Sequence, residues 1–251
     1  MRLIMSPIAT NLQGAYQARD AAIARRATHF VSPVVLVAVS KTKPKSDIEA
    51  AFDAGQRVFG ENYVQEACDK IHALSHLRSS GIEWHLIGPL QSNKAKSAAL
   101  HFDWVQTVDR LKIAEALSRH RIEARLSPLN VLVQVNASGE SQKSGVAPEA
   151  ILELSERIGE LEGLRLRGLM SIVENTPDEA TLRAQFRLLR QHFDALHQRR
   201  PAVDTLSMGM SGDFSIAIDE GATMVRVGSL IFGARGVLGP HNESGTDTAS
   251  V

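Results

Sequence analysis

The sequence predicts a (β/α)8 barrel of the TIM type with an extra helix ahead of its first strand. The length of 251 residues matches one such barrel, typically about 250 residues. Short β-branched runs alternate along it with longer stretches of helical apolar spacing, a texture that implies βαβ units and parallel pairing. The runs number eight, which favours closure over an open doubly wound sheet. No GxGxxG follows the first run, and that removes the usual dinucleotide-binding reading of the open alternative.

The expected strands are 34–39, 57–59, 84–87, 104–107, 131–135, 166–170, 205–207 and 224–227. Run 131–135 is nearly all apolar, as a strand covered on both faces should be. The first expected helix after a strand opens at 47–52. The others are 65–77, 93–100, 111–120, 149–161, 178–197 and the short 213–219, and 5–30 forms the leading helix. Residues 1–239 read as a single domain, because no Pro-, Gly- or Ser-rich linker interrupts them. The tail 240–251 is polar and aperiodic and is expected to be disordered.

Composition removes several functions. Lys plus Arg and Asp plus Glu each number 28, so no net charge draws the chain to nucleic acid or to an anionic membrane. The single cysteine, Cys68, excludes an internal disulfide and any clustered-thiolate metal site, and no metal is expected. No run of apolar residues is long enough to span a membrane, and the first ten residues lack the apolar core of a signal peptide. The expected location is the cytoplasm.

In a barrel, chemistry collects just past the strand C-termini. Three segments there are informative. Lys41 follows the most hydrophobic run; burial would lower its pKa and free its amine to attack an aldehyde. On position alone the solvated Lys–Thr–Lys loop is the favoured reading, since most lysines are exposed. The segment from Ser207 through Gly209 to Asp213 joins a strand to a short helix. It is either a phosphate cradle, with Ser211 or Asp213 capping the helix, or a simple capped turn. Arg226 stands inside the last run between valines. A charge there is costly unless paired, so it either turns inward to meet an anion, a ring nitrogen or a carboxylate, or points out to a helix. Gly228 and Ser229 follow it with amides and a hydroxyl for phosphate. Strands 1, 7 and 8 become neighbours when the barrel closes, so an amine and a phosphate cradle converge. That convergence describes a pyridoxal phosphate site, and also some Schiff-base aldolases.

Several long motifs then carry a resemblance. Ala38-Val39-Ser40-Lys41-Thr42-Lys43-Pro44, Phe59-Gly60-Glu61-Asn62-Tyr63-Val64-Gln65-Glu66 and Trp84-His85-Leu86-Ile87-Gly88-Pro89-Leu90-Gln91 are three of them. Arg167-Gly168-Leu169-Met170, Leu206-Ser207-Met208-Gly209-Met210-Ser211 and Val225-Arg226-Val227-Gly228-Ser229 continue the series. Together, from about Asn11 to Arg235, they resemble the YggS/PROSC family of pyridoxal phosphate homeostasis proteins. The resemblance implies a barrel like that of alanine racemase, fold type III, with pyridoxal 5'-phosphate held as an internal aldimine on Lys41. It implies phosphate contacts at Ser207, Gly209, Gly228 and Ser229, and Arg226 facing the pyridine nitrogen. Asn62 and His85 fall in motifs near the ring side of the pocket.

The resemblance implies a non-catalytic, cytoplasmic carrier acting in vitamin B6 homeostasis, with PLP-dependent apo-enzymes as partners. The alternative is a weak PLP-dependent amino-acid racemase, but a racemase needs a second base on the far face of the ring. In alanine racemases that base is a tyrosine from an added β-domain, for which this chain has no room. Its tyrosines are Tyr16 and Tyr63. Loss of that domain also removes its dimer contacts, so a monomer is expected. An aldolase is disfavoured because such enzymes carry their lysine later in the barrel.

Overall fold

A computed structural model describes residues 6–137, 144–173 and 176–233, and the tail for which disorder is expected lies outside them. Eight parallel strands close in sequence order, with β1 pairing to both β2 and β8. The strands are β1 (Val35–Val39), β2 (Val58–Glu61), β3 (Glu83–Leu86), β4 (Trp104–Val108), β5 (Leu129–Val135), β6 (Leu164–Ser171), β7 (Thr205–Met210) and β8 (Met224–Val227). Closure rules out the open sheet, and each expected strand overlaps an observed one.

The helices are α1 (Pro7–Arg25), α2 (Lys45–Asp53), α3 (Val64–Ala73), α4 (Ala95–His101), α5 (Leu111–Glu123), α6 (Ile151–Ile158), α7 (Glu179–Arg199), α8 (Phe214–Asp219) and α9 (Ser229–Phe232). Helix α9, a single turn after the last strand, is additional to the expected set. The expected helix 65–77 ends earlier as α-helix and continues as the 3-10 turn Ser75–Ser80. Helix α1 begins where Ser6 accepts a hydrogen bond from the Ala9 amide and proline takes the first turn. It packs on α8 and α9, and Asn11 Nδ2 donates to the Ile231 carbonyl at 3.1 Å.

Side chains alternate between two cores. Val225 and Val227 face the helices in the large outer cluster, whereas Met224 joins Val37, Trp104, Leu132 and Met170 inside the barrel. That inner cluster fills one layer of the interior and leaves the layer above it to polar residues.

The turn after β1 is fixed by a buried charge cluster. Lys70 of α3 donates to the Ser40 carbonyl and to Glu61 Oε1, each at 2.8 Å, and to Glu66 Oε1 at 2.6 Å. Ser40 Oγ donates to Glu61 at 2.7 Å, and the Thr42 amide donates to Glu66 at 2.6 Å. The backbone on both sides of Lys41 is therefore tied to one lysine and two glutamates. Thr42 is held at φ 61°, a left-handed conformation that a β-branched residue adopts only under constraint. Burial pushes the Glu61 carboxyl above its ordinary range, against the pull of the Lys70 ammonium. Removing one partner of such a buried pair leaves an uncompensated charge. Lys70→Met should therefore lower stability by about 3–5 kcal/mol, read as a reduced midpoint in urea denaturation.

Candidate functional site

At the strand C-termini a pocket of about 320 Å³ opens between β1, β7 and β8. Lys41, Asn62, Arg226, Gly228 and Ser229 line it, so five of the eight expected site residues meet there. Val39, Ile87, Ile172 and Met210 supply apolar wall. Lys43 also lines it, and its Nζ donates to the carbonyls of Phe232 at 2.9 Å and Gly233 at 3.5 Å, tying the β1–α2 turn to the end of α9. The pocket's titratable side chains are thus Lys41, Lys43 and Arg226; no acidic side chain lines it among the described residues. A smaller cavity of about 220 Å³ adjoins it, sharing Asn62, Ile87 and Ile172 and adding Thr107 and Gln134.

Arg226 points inward. It is 4% exposed, which excludes the outward pairing with a helix. Its Nη1 donates to Ser207 Oγ at 2.6 Å and its Nη2 to the Ser171 carbonyl at 2.8 Å. Burial holds its pKa down to about 10, with the Asp213 carboxylate opposing that shift. At neutral pH the guanidinium remains charged.

The other expected residues stand behind the pocket rather than in its lining. Ser207 is fully buried and serves Arg226. Gly209 shapes the end of β7: it sits at φ +91°, and a Cβ there would lie 2.6 Å from Ala217 Cβ and 2.9 Å from Phe214 Cα. Glycine is needed there for β7 to meet α8. His85 is wholly buried in the barrel interior, stacked on Trp104 with ring centroids 5.0 Å apart. It belongs to a chain of bonds that begins at the pocket. Ser207 Oγ donates to Gln106 Oε1 at 2.7 Å, Gln106 Nε2 meets His85 Nδ1 at 2.8 Å, and His85 Nε2 meets Glu83 Oε1 at 2.6 Å. Nothing in the strand pattern singled out Gln106; only the need of a buried arginine for acceptors could have pointed to it.

The β7–α8 connection also differs from the expected helix cap. Asp213 makes no side-chain cap to α8; its Oδ1 accepts from the Met210 amide at 2.6 Å and closes the turn. Ser211 Oγ accepts instead from the Gly228 amide at 3.2 Å, joining the ends of β7 and β8. A Cβ at Gly228 would come within 3.2 Å of the Val39 side chain and carbonyl, so glycine keeps β8 close to β1 beside Lys41. His72 and His76 share i, i+4 spacing, but no group of three or more His, Cys, Asp or Glu is placed to hold a metal among the described residues.

The model of the family described as alanine racemase, N-terminal domain, matches residues 16–236. A pyridoxal phosphate homeostasis protein of Vibrio cholerae is 54% identical over 205 residues, 81% of this chain and 86% of that protein. Its counterpart in Escherichia coli K12 is 51% identical over 236 residues, 92% of this chain and 98% of that protein. The structure of PipY from Synechococcus elongatus with PLP bound superposes with a TM-score of 0.75 at 36% identity, covering 86% of this chain and 99% of that one. Such identity over nearly the full length of the relatives goes beyond likeness of fold. The chain belongs to the alanine racemase N-terminal domain family and, within it, to the pyridoxal phosphate homeostasis proteins.

Proposed function

We propose that this chain binds pyridoxal 5'-phosphate in the pocket between β1, β7 and β8 and acts in PLP homeostasis in the cytoplasm, as a carrier rather than an enzyme. The observation that carries the reading is the lining itself, in which Lys41, Lys43 and Arg226 meet without an acid among the described residues. A phosphorylated, anionic aldehyde complements that charge, and the amine among the cations can react with it.

The residues present fit this cofactor. Lys41 presents its amine from a turn that the Lys70 cluster fixes on both sides. The Ser229 hydroxyl suits the phosphate, while Gly228, whose amide donates to Ser211 Oγ, draws this end of β8 close to β1. Arg226 suits the ring nitrogen. A fixed positive charge there disfavours a second one on the ring. When bound, PLP supplies an electrophilic aldehyde joined to a ring that can withdraw electrons. An arginine beside the ring nitrogen weakens that withdrawal, which supports a holding role over carbanion chemistry.

The absence of a second base among the described lining residues also supports this reading. No tyrosine lines the pocket among the described residues: Tyr63 is 57% exposed outside it, and Tyr16 on α1 donates to Gln56. Delivery to PLP-dependent apo-enzymes, and a monomeric state, complete the proposal. No described helix is long and apolar enough to cross a membrane.

The first test is an absorbance spectrum of the purified protein with PLP, before and after borohydride, with the labelled peptide identified by mass. The adduct should map to Lys41, and Lys41→Ala should abolish it while the protein stays folded; an adduct on another lysine would overturn the assignment. Arg226→Ala should weaken PLP binding about tenfold or more, as loss of a buried charged contact does, and unchanged affinity would remove Arg226 from the ring. Alanine racemisation by the loaded protein should stay at background. Turnover comparable to a dedicated racemase would return the enzyme reading.

A further inference from the structure

The bonds behind Arg226 have a direction. A guanidinium only donates, so Ser207 Oγ must accept from Nη1. Its own hydrogen then goes to Gln106 Oε1, and this fixes the Gln106 amide with Nε2 towards His85 Nδ1. Met224 Sδ, an acceptor 3.1 Å from the same Nε2, agrees with that orientation. Nδ1 is therefore the bare nitrogen of His85, and the ring hydrogen sits on Nε2, donated to the Glu83 carboxylate. Every member passes a hydrogen the same way, from Arg226 through Ser207, Gln106 and His85 to Glu83. Aligned donors polarise one another, and their alignment is strongest between a cation at one end and an anion at the other.

The two ends lie on opposite faces of the barrel. Arg226 lies near the C-terminal end of β8 at the pocket, whereas Glu83 opens β3 on the face away from it, where its side chain is 42% exposed. The intermediate residues, Ser207, Gln106 and His85, are each wholly buried. The Asp213 carboxylate acts on Arg226 through space. The direct partners of Arg226 are a hydroxyl and a carbonyl.

We propose that Glu83 is a positioning residue for the cofactor pocket, acting on Arg226 through the His85–Gln106–Ser207 relay from the opposite end of the barrel. The relay sets which way the Ser207 lone pair faces, and so where the guanidinium rests. This rests on the reading that Arg226 faces the PLP ring.

Glu83→Gln tests it, because the carboxamide keeps an acceptor for His85 while removing the charge. Titrated with PLP as the full chain, this variant should bind about fivefold more weakly, the size of coupling seen between members of one network. The absorption maximum of the bound cofactor should move, with the melting temperature unchanged. In a Gln106→Met background, where the relay is cut, Glu83→Gln should cause no further change. Ser207→Ala serves as the cut should Gln106→Met fail to fold. Wild-type affinity and spectrum in Glu83→Gln, or an undiminished effect once the relay is cut, would overturn the proposal. If Arg226→Ala itself leaves PLP affinity unchanged, the ring reading fails instead, which separates the two.

Discussion

A charge buried inside a closed barrel is the constraint around which this site is organised. Moving a guanidinium out of water costs several kcal/mol unless its donors are met. The apolar layer formed by Val37, Trp104, Leu132, Met170 and Met224 offers the guanidinium nothing, its one weak acceptor, the Met224 thioether, being taken by Gln106. The layer above is polar because Arg226 requires it: a serine on β7, a glutamine on β4 and a histidine on β3 all turn inward where a barrel normally packs branched aliphatic residues. The identity of each follows from the one before, in a sequence of donors and acceptors that starts at the arginine.

A second charge cluster does comparable work at β1. Lys70 and the two glutamates fix backbone rather than a ligand-facing side chain, and they hold a threonine in a left-handed conformation next to Lys41. One pocket is thus held from two sides by unlike means. A neutral relay through the interior serves the arginine, while an ionic knot outside the strands serves the lysine. The glycines at 209 and 228 let β7 close onto α8 and β8 onto β1.

Much of this was legible in the sequence. The eight strands follow from period and composition, because alternation of β-branched runs with helical spacing is a local property. Lys41, Arg226 and the residues after β8 were visible because a charged side chain at a strand end is conspicuous in an apolar run. His85 and Ser207 were marked as site residues, but their place behind the pocket depends on partners distant in sequence, up to 101 residues for Ser207 and Gln106. Gln106 and Lys70 left no signal of their own, since a glutamine in a strand or a lysine on a helix is ordinarily exposed. The cap expected at Ser211 or Asp213 is absent because Asp213 serves the Met210 amide and Ser211 the Gly228 amide instead.

The docking of α1 sets the order in which this chain can mature. Helix α1 precedes every described strand, yet beyond its contact with α2 the surfaces that receive it, α8 and α9, are made last. The carbonyl that accepts from Asn11 belongs to Ile231, 220 residues further on. The β1–β8 seam that closes the barrel waits for the same segment. During synthesis, the apolar face of α1 and one edge of β1 therefore stay uncovered until nearly the whole barrel exists. Contacts of such long sequence separation form late and slowly. Until residues past Met224 have emerged, those two margins have no native partner to seal them, which leaves a chaperone surface to hold.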